Sequence, residues 1–141
     1  MDNETIFTTP FNRIKDFLIN NITDPRRRFK SNWVHSSMPL INDKGFSGFP
    51  FIVLKVDVDE GNLSHDRDTS QKTFNAMITI YSTDGVEVDT LSDSIFSQFK
   101  DDTKLNFSSK VMGRSDINWF LDNKGKKVIY RNIGLICRER L

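Results

Sequence analysis

The chain has a single cysteine, Cys137, so no disulfide can close within it, and the alternating setting IGLICRER suits a buried strand thiol. Its two histidines, His35 and His65, stand in neither an H-x-H nor an H-E-x-x-H spacing, which excludes a histidine-rich metal site. The longest apolar run, FPFIVL at 49–54, falls far short of the roughly 20 residues a membrane-crossing helix needs. An excess of one charge is missing as well. Twenty Lys and Arg stand against nineteen Asp and Glu, a formal net charge of +1, whereas a dedicated nucleic-acid binder carries a clear positive surplus. The opening MDNETIFTTP lacks the basic-then-apolar build of a signal peptide, so the expectation is a soluble protein made and kept in the cytoplasm.

Catalytic signatures are equally scarce. No G-x-S-x-G occurs, and DKGFSG has two glycines without the helix that must follow a phosphate loop. The acidic segment DVDEGNLSHDRD, 57–68, departs from a calcium loop, because Gly61 and Asn62 occupy the fifth and sixth positions, which want Asp or Asn and then Gly. Asp57 and Asp59 share a strand face and would suit Mg²⁺ as in a nuclease, but the lysine such sites place downstream is absent. The expectation is no enzyme, no cofactor and no metal.

What is present is a regular alternation of elements. At 141 residues the chain fits one domain, 1–141, that buries about two-thirds of its unfolded surface. TPFNRIKDFLINNI puts Phe11, Ile14, Phe17, Leu18 and Ile22 on one helical face, with Pro10 at the first helical position. Residues 23–48 keep no period and read as a long loop, with a short strand near Trp33 and Val34. FPFIVLKVDVD and KTFNAMITIYS alternate with period two and predict an antiparallel hairpin with a long tip. VEVDTLSDSIFSQFK returns to helical spacing, with Asp89, Ser92, Asp93 and Gln98 on its exposed face. INWFLD, a turn at 123–125 and KVIYRNIGLICRER predict a last hairpin, and Lys110 to Met112 a further short strand. Both faces of the final strand are partly apolar, which implies a central strand or one that meets another subunit. The fold class is α+β, two helices packed on a mostly antiparallel β-sheet, in the order α-β-β-α-β-β. The predicted core is Phe11, Ile14, Phe17, Leu18, Ile52, Leu54, Ile78, Ile80, Leu91, Ile95, Phe99 and Ile133.

The densest chemistry lies in PRRRFKSNWVHSSMP, residues 25–39. Arginines interleaved with Phe29 and Trp33 suit phosphates and a stacked base, or the anchor positions of a protein interface. The plainer alternative has the arginines solvated or paired with acids and Trp33 folded back as a lid on the core.

The order of elements, with the phrases FPFIVLKV, FNAMITIYS, VDTLSDSIFSQF and VIYRNIGLI, resembles the tail-terminator or tail-completion proteins of long-tailed bacteriophages across nearly the whole chain. The resemblance implies a small α+β virion protein of the head–tail junction that forms a homohexameric ring, caps the tail tube, and catalyses nothing. Its implied partners are further copies of itself, the tail tube protein and the head connector or stopper protein, with genomic DNA passing through the ring. The implied place is the virion neck, after assembly in the host cytoplasm. Arg26, Arg27, Arg28, Lys30 and Trp33 are the expected interface residues in the loop, and Asp59, Glu60, Asp66 and Arg67 those at the hairpin tip. The alternatives are a head-completion protein of the neck, similar in size and also ring-forming, and a small nucleic-acid-binding module using RRRFKSNW.

Overall fold

The computed structural model describes residues 8–28, 33–59, 71–100 and 109–140. Their elements are α1 (Thr8–Asn21), β1 (Val34–His35), β2 (Phe51–Asp59), β3 (Gln71–Ser82), α2 (Gly85–Lys100), β4 (Ser109–Arg114), β5 (Asn118–Leu121) and β6 (Lys127–Arg140). Two helices and one mixed six-stranded sheet make the class α+β. The expected order α-β-β-α-β-β needs correction, because three strands precede α2 and three follow it. β1 is only two residues long, too short for any alternation to show in the sequence.

The sheet runs β1-β2-β3-β6-β4, with β5 also paired to β6 beyond the end of β4. β1 is parallel to β2 and every other pair is antiparallel. β4 and β5 thus form one interrupted edge. Arg114 pairs with Ile133 and Asn118 with Tyr130, so three edge residues face two on β6, the count of a β-bulge. Ser115 fills the interruption: its N–H donates to the Asn132 carbonyl at 2.9 Å, and its hydroxyl oxygen accepts the Asn132 N–H at 3.1 Å. Its carbonyl accepts Arg131 Nε–H at 2.8 Å.

Both helices cover one sheet face, α1 over β2 and α2 over β3 and β6. Helical spacing on α1 and α2 meets the period-two set Ile52, Leu54, Ile78, Ile80 and Ile133, all fully buried. Phe17 and Phe99 join the two helices, ring to ring at 4.6 Å. Every residue of the predicted core is buried except Phe11, which packs half-buried at its margin. Asp84 starts α2. Its carboxylate accepts the Val86 N–H at 3.0 Å, as an N-cap does, and Ser82 Oγ–H donates to Glu87 across the first turn.

The second face is closed at one end by the loop at 36–50. Phe51, on the outward set of β2, is fully buried there beneath Phe46 and Phe49, and it stacks on Tyr81 at 4.8 Å. Val128, Ile41 and Phe120 complete this smaller core. Farther along, the same face stays open.

Candidate docking surfaces

The arginine run divides within three residues. Asp24 directs the turn: its carboxylate accepts the N–H groups of Arg26 and Arg28, each at 2.9 Å, and its carbonyl accepts that of Arg27 at 3.0 Å. Arg27 lies in the left-handed region, φ 53°, and its side chain is exposed, as is that of Arg26. Arg28 turns inward. Its Nε and Nη2 donate to the two oxygens of Asp24, each at 2.9 Å, and the remaining donors reach the carbonyls of Ser47, Gly48 and Pro50. All five guanidinium N–H groups are therefore used. Arg28 is a staple between the two ends of the long loop, and its acid lies in its own chain.

Burial pushes the Asp24 carboxyl up, but the Arg28 hydrogen bonds, the two backbone N–H groups and the arginine charge outweigh it and hold the group below its ordinary value of 3.8. Trp33 is 2% exposed, with the Arg28 guanidinium 6.0 Å from its ring centre. It acts as a lid on the core, the plainer alternative for this residue. Beside it, His35 is pushed down by burial and then by the charges of Arg28 and Lys15, and its buried Nε2 has no hydrogen-bond partner among the described residues.

Of the other expected interface residues, Lys30, Glu60, Asp66 and Arg67 lie outside the described residues, and Asp59 is described only as the last backbone position of β2. Asp57 is exposed on the open face. Among the described residues no three of His, Cys, Asp and Glu come together as metal ligands. The helix face of Asp89, Ser92 and Asp93 also differs from expectation. Ser92 is fully buried because Arg114 and Arg131 reach across it to Asp93 and Asp89, donating to its hydroxyl at 3.1 and 3.4 Å on the way.

The exposed apolar residues gather where the sequence was not singled out. Ile117, Trp119 and Leu121 alternate along the β5 edge, with Trp119 56% and Leu121 58% exposed. Leu121 shares a groove of about 460 Å³ with Met38 and with Leu40, which is 75% exposed. Exposed Val86 adjoins Gly85, which lies against Ile129, the β6 partner of Trp119. The usable signal was INWFLD itself, an apolar strand on both faces. Phe120 enters the smaller core, which leaves Trp119 and Leu121 to point outward.

A second groove, about 680 Å³, crosses the open sheet face over the paired glycines Gly113 and Gly134, between exposed Met77 and Ile136. A third, about 330 Å³, lies at the end of α1 between Ile19, Ile22, the edge of Trp33 and the side chain of Arg27. No family model matches the chain, and no curated protein matches it.

Proposed function

We propose that this chain is a non-catalytic structural subunit of a long-tailed phage virion, a tail terminator. It works as a homohexameric ring that caps the tail tube and joins it to the head connector. One observation carries the reading: Ile117, Trp119 and Leu121 are exposed along the β5 edge, with exposed Met38 and Leu40 lining a groove beside Leu121, a run of apolar side chains of the kind that marks a protein interface. That surface lies on one edge of the sheet. The turn with the exposed cations Arg26 and Arg27 lies beside the other. Two unlike surfaces on one subunit give heterologous contacts, and those close a ring when the rotation permits.

The element order and the phrases quoted above supply the particular family, and the head-completion protein of the neck is the sibling reading. For the nucleic-acid module, Trp33 is buried and, among the described residues of RRRFKSNW, Arg26 and Arg27 are the exposed cations. Light scattering of the purified protein over a rising concentration series, with electron microscopy of the same samples, tests the proposal. Six-subunit rings are expected. A monomer at every concentration with no rings refutes it. Rings that bind purified tail tubes identify a terminator, and rings that bind only head connectors identify a head-completion protein.

A further inference from the structure

We infer that the pocket beside Arg27 receives the β5 edge of a second copy of this chain, Trp119 packing on Ile19 while Asp116 meets Arg27. The inference rests on the ring reading and names its contact.

Both halves of the contact are incomplete in the single chain. The pocket has half-buried Ile19 as its accessible apolar side chain, with Ile22 and Trp33 buried at its floor and Asn20, Asn21 and Thr23 around it, and its rim carries the guanidinium of Arg27, which makes no ion pair among the described residues. At about 330 Å³ it matches the smallest ligand clefts, room for one large side chain. A site of this make-up takes an apolar group next to a carboxylate. β5 presents that pair: Trp119 is half exposed, with the Lys127 ammonium 4.7 Å from its ring centre, and Asp116, three residues before it, is exposed with a carboxylate that has no hydrogen bond or ion pair among the described residues. Asp122, at the other end of the strand, serves its own turn instead, accepting the N–H groups of Lys124 and Lys126.

Position excludes pairing within one chain. The pocket lies on the β1 side of the sheet and β5 on the opposite edge, with β2, β3 and β6 between them. The same subunit can therefore give its edge to one neighbour and its pocket to another. Aromatic and arginine side chains at the centre of such a contact are the ordinary anchors of protein interfaces. Neither Arg27 nor Trp119 supports the fold through burial, so both can be changed without emptying the core.

The test uses the full chain, with light scattering and circular dichroism on the wild type, Arg27→Glu, Trp119→Ser and the double variant Arg27→Glu with Asp116→Arg. Each single variant should keep its secondary structure and weaken self-association by about thirtyfold or more, the loss that follows removal of one partner from a buried charged contact. The double variant should return to within about threefold of wild type. Mixing Arg27→Glu, whose edge is intact, with Trp119→Ser, whose pocket is intact, should give a dimer that grows no further, as only a head-to-tail contact allows. A wild-type oligomer that tolerates either single change, a double variant that stays defective, or a mixture that stays monomeric overturns this contact and leaves the ring reading standing. A wild-type monomer removes both.

Discussion

Replacing Arg28 by Met is the sharpest test of how the long loop is held. The side chains of Arg28 and Asp24 are only 11% and 8% exposed, so solvent screens their attraction weakly. Methionine keeps most of the packing against Trp33 but removes five donors. Asp24 keeps two backbone N–H groups, and the carbonyls of Ser47, Gly48 and Pro50 lose a partner each. Breaking one side of a buried ion pair costs roughly 3–5 kcal/mol, a large part of the ~5–15 kcal/mol that holds a domain folded. For a chain of this size that corresponds to a fall in Tm of about 10–15 °C. Urea denaturation followed by circular dichroism at pH 7 measures it, with Asp24→Asn and the double variant completing a cycle. The cycle should return a strong coupling between the two residues. Because the folded Asp24 carboxyl titrates below 3.8, its contribution is fully present above that pH and is lost as the pH falls through the folded value. Wild type and Asp24→Asn should therefore converge in stability as the solution is acidified. A loss under about 1 kcal/mol for Arg28→Met, or no coupling in the cycle, would refute the staple.

Other outcomes follow from the same geometry. Phe51→Ala should cost about 3–5 kcal/mol, since it empties the smaller core beneath the loop, and it should raise amide exchange at 36–50 before it affects α2. Gly125, at φ 78° in the β5–β6 turn, has open space at its Cβ position, so Gly125→Ala should cost only the left-handed strain, about 1–2 kcal/mol by thermal melting. His35 should titrate by NMR below the ordinary 6.5. Its depressed value makes the fold more stable above 6.5 and less so as the pH falls through the folded value, and His35→Phe should flatten that slope. Ser92→Ala should loosen Arg114 and Arg131 from α2 and cost about 1 kcal/mol in a denaturant titration.

The limits of the sequence are clearest along the edges of the sheet. Ile52, Leu54, Ile78, Ile80 and Ile133 were legible because a long strand repeats every two residues, and one face against two helices turns that repeat into burial. Ile14, Phe17, Leu18, Leu91, Ile95 and Phe99 were legible by the same logic at helical spacing. The short strand expected near Trp33 and Val34 is β1, Val34–His35, but its parallel pairing with β2, sixteen or more residues away, could not be read from two residues.

The sequence by itself determined the two helices, the long strands β2, β3 and β6 and the residues that fill the main core, because each follows from spacing along a single element. Tertiary structure alone decided how the three consecutive arginines differ. Their sequence environments are nearly identical, yet Arg28 meets Asp24 and the carbonyls near residue 48 only once the loop has closed, while Arg26 and Arg27 stay in solvent. It also decided that Trp33 is core and Trp119 surface. Composition ranks the two tryptophans equally. Their burial depends on what the rest of the chain lays over each position: Trp33 joins the main core, while among the described residues Lys127 reaches over the Trp119 ring and leaves it half exposed.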